Sequence, residues 1–146
     1  MKKLPLSEFL NIYGKVPRLC VEIVVEQRQG ILLTLRDIPP GKGLWHFPGG
    51  SVLYDESVFD AAHRIAKEEL GVEIHINKFL GFTDWYKSKN AVGHSVSLLF
   101  SAKITKGEIK TNFQAIEAKF FKTLPQNIMK ENKKFIDKYK PLAAYQ

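Results

Sequence analysis

The stretch from Gly50 to Val72 constrains the fold more than any other part of this chain. Apolar residues recur within it at three- and four-residue steps, which is the spacing of a helix that buries one face. These residues are Val58, Phe59, Ala62, Ile65, Ala66 and Leu70. Asp55 or Ser57 can cap the start of such a helix, and Gly71 can end it. The pattern therefore predicts a glycine-rich loop that leads into a helix over 57–70.

Short apolar runs rich in β-branched residues predict strands on both sides of this helix. The runs 19–26 and 31–36 are separated by four residues that end in Gly30, as in a β-hairpin. Further strands are predicted at 44–47, 72–85, 95–104 and 118–122, and helices at 6–13, with Ser7 as N-cap, and at 127–139. Strands and helices mix throughout, so we expect one α/β (α+β) domain over 1–146, with a mixed sheet between helices.

The composition is that of a globular protein with a net charge of +7. Such a charge suits either nucleic acid or small polyanions, but the basic residues are not interleaved with aromatic ones, so nucleic acid is the weaker expectation. No apolar run approaches the roughly 20 residues that a membrane span needs. Pro5, Ser7 and Glu8 interrupt any signal-like start, which predicts a cytoplasmic protein. The single cysteine, Cys20, is expected to be a buried, inert thiol.

Two adjacent carboxylates, Glu68 and Glu69, lie near the end of the predicted helix. Neighbouring helical residues point about 100° apart. Two such carboxylates repel each other unless a cation joins them, and oxygen ligands suit Mg²⁺ or Mn²⁺. Arg64 precedes Glu68 by one turn and can pair with Glu68 or with Glu56. Taken alone, the pair could equally be an incidental feature of a surface helix.

The complete spacing resembles the Nudix box. In that motif a glutamate follows a glycine after five residues, and an arginine near the end of a helix follows after seven more. The matching positions are Gly50, Glu56, Arg64, Glu68, Glu69, Gly71 and Val72. The preceding segment 44–50 is similar to the family's approach to the box, and the resemblance extends over about 18–125. It implies the Nudix fold and a Mg²⁺-dependent hydrolase. Its substrate would be a small nucleotide in which a nucleoside diphosphate is linked to another group.

One position of the box departs from the family pattern, because Ile65 follows Arg64 where the family has a glutamate. The departure implies fewer bound metals, a different general base or no catalysis. An aliphatic residue at this position, together with 17–36 and 45–50, is similar to the GDP-mannose mannosyl hydrolase subgroup. That resemblance implies a nucleotide-sugar substrate and attack of water on the sugar carbon rather than on phosphorus.

The resemblance also implies roles for individual residues. Metal ligands would come from Gly49 and Gly50 carbonyls and from the side chains of Glu56, Glu68, Glu69 and Gln114, with Glu69 as the chief carboxylate. Arg36 would hold the diphosphate. The subgroup's histidine base is replaced by Ala115, and no histidine follows His94. The catalytic set is therefore Arg64, Glu68, Glu69 and, as first choice for the base or an extra ligand, Glu117.

Several residues have two interpretations. Glu117 is either that base or a strand-end charge in water, and His94 is either a substrate contact or structural. Glu22 interrupts an apolar strand, so it either contacts a sugar hydroxyl or faces solvent on an edge strand. Trp85 and Tyr86 lie where a base or sugar could stack.

Other functions compete with the nucleotide-sugar hydrolase. One is a pyrophosphatase for nucleoside triphosphates or dinucleotides. A second is a non-catalytic nucleotide-binding module, which Ile65 and Ala115 favour. A third is an RNA-binding or decapping protein, which only the charge favours. Some members of the family are dimers, so a homodimer is expected by analogy.

Overall fold

The computed structural model describes residues 3–39, 41–86, 93–111 and 115–140. It confirms the mixed α/β fold predicted from the sequence. In chain order the elements are α1 (Leu6–Tyr13), β1 (Arg18–Gln27), β2 (Gly30–Arg36), β3 (Trp45–His46), β4 (Gly49–Ser51), α2 (Val58–Ile65, continued by a π-helical turn, Ala66–Leu70), β5 (Glu73–Trp85), β6 (Ser95–Lys106), β7 (Ala115–Phe121) and α3 (Lys130–Tyr139).

Strand β1 is the centre of the sheet and the place where the sheet divides. The last residues of β1 form the predicted hairpin with β2, with Gln27 opposite Gly30. The first half of β1 pairs instead with β4, with Glu22 opposite Gly49. On its other side β1 runs parallel to β6, which pairs with the edge strand β5. β2 also pairs with β3 and β7, so a gap opens between β2 and β4 beside the middle of β1.

Alternate residues of β1 face two different apolar cores, because successive side chains of a strand point to opposite faces. Val21, Ile23 and Val25 pack in the core that contains the buried face of α2. Val24 packs in the second core, which contains Ile136 of α3. Glu22 has the same parity as Val24 and therefore faces α3. Among the described residues, no helix is long and apolar enough to cross a membrane.

The ends of α2 confirm the sequence prediction. The Ser57 hydroxyl accepts a hydrogen bond from the Asp60 N–H at 3.0 Å. Gly71 has φ of +71°, which ends the helix in the left-handed conformation that glycine adopts without strain. Cys20 is buried, and burial raises the pKa of its thiol, as expected of an inert cysteine.

Other boundaries differ from the prediction. Ser7 is not the N-cap of α1: the helix begins after Pro5, whose carbonyl accepts from the Phe9 N–H. The closing helix starts at Lys130 rather than Asn127, because Ile128 forms a bridge with Trp45 that keeps this segment extended. β7 starts at Ala115 rather than Ala118, because β2 offers it pairing partners up to Arg36.

His46 on β3 predicts a pH dependence of stability. Its Nδ1 lies 2.7 Å from the Phe47 carbonyl oxygen, and burial lowers its pKa to about 4. Below pH 6.5, the ordinary pKa of histidine, the His46 imidazole becomes protonated in the unfolded chain. In the native protein it stays neutral until the pH approaches about 4. We expect His46 to remove about 3 kcal/mol of unfolding free energy between pH 6.5 and 4. Urea unfolding of wild type and His46→Asn measures this difference, with exposed His63→Asn as the control. Equal pH slopes in all three proteins would contradict it.

Candidate active site at the gap beside strand β1

Glu69 lies in the π-helical turn after α2 and points toward the gap between β2 and β4. Its Oε2 accepts a long hydrogen bond, 3.3 Å, from the Gly49 N–H. Burial raises the pKa of this carboxyl to about 7, against the opposing effects of the Gly49 N–H and the positive charge of Arg36. Near neutral pH the carboxyl is therefore only partly ionised, and a cation placed beside it would favour the charged form.

Arg36 ends β2 on the opposite side of the same gap. Burial lowers the pKa of its guanidinium, and the negative charge of Glu69 acts in the opposite direction. An arginine remains protonated through such shifts. The place where the sheet divides is thus lined by a carboxylate, a guanidinium and a glycine N–H. The carboxylate suits a bound cation, and the guanidinium suits an anion bound beside it.

Arg64 and Glu56 form a clamp beneath the loop that leads into α2. Arg64 Nε donates to Glu56 Oε1 at 2.7 Å, and Arg64 Nη2 donates to Glu56 Oε2 at 3.0 Å and to the Ser51 carbonyl at 2.8 Å. The Leu53 N–H donates to Glu56 Oε2 at 2.9 Å, and the Glu56 side chain is 1% exposed. Both carboxylate oxygens accept hydrogen bonds from the protein, so Glu56 holds the loop here, and its role as a metal ligand stays a prediction.

Glu68 points away from Glu69, as expected for neighbours on a helix. Its Oε2 accepts from Arg64 Nη1 and from Lys3 Nζ, each at 3.1 Å, and its side chain is 42% exposed. Lys3 has no role in the sequence prediction, and no local pattern connects it with Glu68. The two carboxylates therefore differ in environment: Glu69 is half-buried, whereas Glu68 is exposed and paired with cations.

Ile65 occupies the space beside Gly50 on the buried face of α2. It is 2% exposed, and a Cβ added to Gly50 would lie 3.4 Å from its Cδ1. Over the described part of the chain, no three carboxylate, imidazole or thiol groups cluster as a metal site. The oxygen donors present suit a hard divalent cation that keeps several waters, as Mg²⁺ does, rather than a cage made entirely by protein. Gln114 lies outside the described residues.

Glu117 lies on the other face of the sheet from Arg36 and Glu69. It is exposed and pairs across the sheet with Leu35, whose side chain packs against the core on the α3 side. Cross-strand partners point to the same face of a sheet. Arg36 is the next residue on β2 and acts on Glu69 on the other face. The register thus favours the alternative interpretation of Glu117, a strand-end charge in water.

His94 lies just before β6, and its Nε2 is 3.1 Å from Asp84 Oδ1. Its carbonyl accepts from the Arg18 N–H, whereas the gap lies beside Glu22 on the same strand. Four strand residues cover about 13 Å, so His94 is at the far end of the sheet from Glu69. The pairing with Asp84 is what a structural histidine would show.

Glu22 does not face solvent on an edge strand, since β1 is central and this residue is 6% exposed. Asn132 of α3, which no sequence pattern singles out, donates from Nδ2 to Glu22 Oε1 at 2.8 Å and accepts from the Phe47 N–H at 3.2 Å. Burial raises the pKa of the Glu22 carboxyl, while Asn132, Ser97 and Trp85 lower it. A Cβ on Gly49 would lie 2.8 Å from Glu22 Cγ, so glycine is required there.

Comparison with known proteins agrees with the resemblance seen in the sequence. A NUDIX domain model matches residues 16–143. The chain is 32% identical over 124 residues to the low-salt glycan biosynthesis protein Agl8 of Haloferax volcanii, covering 82% of this chain and 80% of that protein. It is 36% identical over 107 residues to an ADP-ribose pyrophosphatase of Methanocaldococcus jannaschii, covering 72% of this chain but only 62% of that protein. Among solved structures, a MutT NUDIX hydrolase from Burkholderia pseudomallei superposes with a TM-score of 0.76 at 25% identity, covering 84% of this chain and 97% of that one.

Proposed function

The chain belongs to the Nudix hydrolase family, and from that membership we propose that it hydrolyses a nucleoside diphosphate linked to another group, most specifically a nucleotide sugar. The observation that carries this proposal is the arrangement of Glu69, the Gly49 N–H and Arg36 around one gap in the sheet. A diphosphate carries negative charge that needs both a metal and a cationic side chain, and this gap offers groups for both.

A divalent metal, which Nudix hydrolases generally use, fits this site as Mg²⁺ or Mn²⁺. Glu69 would be its chief protein ligand, with a carbonyl of Gly49 or Gly50 and the side chain of Gln114. The metal, when bound, neutralises charge on the diphosphate and makes an attacking water more acidic.

The protein's own side chains bind the diphosphate, position the loop and accept the proton of the attacking water. Arg36 holds a diphosphate oxygen and orients the bond to be cleaved. Arg64 keeps the loop at Ser51 and the exposed carboxylate of Glu68 in place. Glu68 is next to Glu69 and open to water, so we propose it as the group that takes the proton of the attacking water. In attack on carbon, the bond between the sugar carbon and the diphosphate oxygen breaks, and its electrons leave with the nucleoside diphosphate. In attack on phosphorus, a bond between phosphorus and the oxygen that joins the two phosphates breaks, and its electrons leave with a monophosphate.

The substrate class rests on two kinds of support. The aliphatic Ile65 after Arg64 is the feature shared with the GDP-mannose mannosyl hydrolase subgroup. The Haloferax volcanii relative is named for glycan biosynthesis, and glycans are built from nucleotide sugars. A second candidate, a pyrophosphatase acting on a substrate such as ADP-ribose, is favoured by the name of the Methanocaldococcus jannaschii relative.

Turnover in ¹⁸O-labelled water tests the proposal and separates the two candidates. The panel contains GDP-mannose, GDP-glucose, UDP-glucose, ADP-ribose and dATP, each with Mg²⁺, and products are resolved by chromatography and mass. We expect a nucleotide sugar to be the best substrate. Label in a free sugar indicates attack on carbon, and label in a phosphate indicates attack on phosphorus. Nucleotide binding without turnover of any compound would contradict catalysis and identify a binding module.

A further inference from the structure

Helix α3 carries one buried polar side chain, that of Asn132. This residue and Ile136 are the buried residues of α3, and their four-residue spacing places them on the same face of the helix. Asn132 is 0% exposed. A buried amide destabilises a protein unless its hydrogen-bonding groups have partners, whereas an apolar side chain could fill this place without them. The amide therefore indicates that something beyond packing determines this position.

Both ends of the Asn132 amide are hydrogen-bonded, and both bonds lie beside Gly49. Its Oδ1 accepts from the Phe47 N–H at 3.2 Å, two residues before Gly49 in the chain. Its Nδ2 donates to Glu22 Oε1 at 2.8 Å, and Glu22 is opposite Gly49 in the β1–β4 ladder. One side chain of α3 thus holds both the chain that leads into Gly49 and the residue that pairs with Gly49 across the sheet.

The residues just before α3 hold the start of the same segment. The Trp45 N–H donates to the Asn127 carbonyl, and the Met129 N–H donates to the Trp45 carbonyl, each at 2.8 Å. Strand β3 pairs with β2 along its other edge. The bond from Phe47 to Asn132 continues this line of contacts beyond the end of β3. The entry into β4 is therefore held against α3 and cannot shift while these bonds remain.

Glu22 also supports Gly49 directly. A Cβ on Gly49 would lie 2.8 Å from Glu22 Cγ, so the stem of Glu22 covers this glycine on the face toward α3. The Gly49 N–H donates to Glu69 Oε2 at 3.3 Å, and Glu69 belongs to the helix on the other side of the sheet. A continuous path of contacts thus runs from Asn132 through the sheet to the carboxylate of the candidate active site.

We propose that Asn132 is a positioning residue that fixes the Gly49 backbone in the metal site without touching the metal or the substrate. It acts through its two hydrogen bonds, to Phe47 and to Glu22. The inference rests on the proposed function, because it takes a divalent metal to bind at Glu69 and at a backbone carbonyl beside it. Removing a group that orients metal ligands typically lowers metal affinity by about 10–100-fold. A side chain that only anchored α3 would change stability alone.

Binding of Mn²⁺ tests this with the variant Asn132→Leu, using calorimetry and the electron paramagnetic resonance signal of the free ion. Leucine has the same branched shape as asparagine but has no hydrogen-bonding group. Ile136→Ala is the matched control, because it removes buried apolar contacts of α3 one turn away and keeps both hydrogen bonds of Asn132. Urea unfolding of each metal-free protein gives its loss of stability.

We expect Asn132→Leu to bind Mn²⁺ about tenfold or more weakly than wild type, and Ile136→Ala to bind it within about twofold of wild type although it too is destabilised. Equal Mn²⁺ affinities in the two variants would overturn the inference and leave Asn132 as an anchor of α3. Absence of Mn²⁺ binding in wild type would instead remove the proposed function, and the inference with it.

The double variant Asn132→Asp/Glu22→Gln keeps the inference testable if Asn132→Leu does not fold. It exchanges the amide and the carboxylate, so the net charge stays the same, and the new carboxylate can accept both from the Phe47 N–H and from the new amide. We expect the double variant to bind Mn²⁺ within about threefold of wild type, and Asn132→Asp alone to bind about tenfold more weakly, because its carboxylate faces that of Glu22 without a hydrogen to donate. A double variant that bound no better than Asn132→Asp would contradict the proposed role of the two hydrogen bonds.

Discussion

Glu69→Gln is expected to lower kcat by about 10²–10³-fold while the protein stays folded. Glutamine has the same shape and still accepts the Gly49 N–H, but it cannot supply a negative charge to a divalent metal. Steady-state hydrolysis of the best substrate of the panel, at saturating Mg²⁺, measures the loss. Glu68→Gln is the adjacent control for binding, since its side chain is exposed, and we expect Mg²⁺ affinity to fall much less in it than in Glu69→Gln.

Glu69→Gln is expected to stabilise the metal-free protein at high pH, although it lowers activity. The folded pKa of Glu69, about 7, is above its unfolded value, so this group stabilises the metal-free protein below pH 4.5 and that contribution disappears as pH rises to about 7. Glutamine has the shape of the protonated glutamate side chain and, like it, carries no charge. The metal-free Glu69→Gln protein should therefore be more resistant to urea than wild type at pH 8, and equal to it near pH 4.5. A variant that lost activity because its fold was damaged would be less resistant at both pH values.

Arg64→Met is expected to destabilise the protein by about 1–3 kcal/mol. The substitution keeps the aliphatic stem but leaves the carboxylate of Glu56, 1% exposed, buried without its cation. It also removes the hydrogen bond to the Ser51 carbonyl that holds the loop before α2. Urea unfolding monitored by circular dichroism gives the change in unfolding free energy.

Lys133→Met is the matched control, because Lys133 pairs with Asp137 on the exposed face of α3, where both side chains are more than half exposed. An exposed pair contributes at most about 1 kcal/mol. The double variant Arg64→Met/Glu56→Gln should recover part of the loss, since the buried charge is then gone. If Arg64→Met unfolded at the same urea concentration as Lys133→Met, Arg64 would not be the clamp described here.

Local features of the fold were predictable from the sequence because their signals are local. The helix over 57–70 is specified by apolar spacing, the Ser57 cap and Gly71, all within one segment. The β1–β2 hairpin follows from two apolar runs around Gly30, whose φ of +116° favours glycine. The divergence of Glu68 and Glu69 follows from helix geometry alone.

The partners of the site residues were not predictable, because they come from distant parts of the chain. Lys3 reaches Glu68 across 65 residues, and Asn132 reaches Glu22 across 110. Neither contact has a sequence pattern that a single chain reveals. The position of Glu117 depends on which face of the sheet the β2–β7 register gives it, and a shift of one residue would reverse that face.

The division of the sheet along β1 has a consequence for the time course of folding. The β1–β2 and β5–β6 pairs join strands that are close in the chain, so they can form early. The parallel β1–β6 ladder instead joins distant segments and must close a long loop first. Glu22, Gly49 and Glu69 come together only when β4 and α2 settle on β1 beside that ladder. In a refolding experiment, secondary structure should therefore appear before the protein can bind its ligand, and ligand binding would report the last step of assembly.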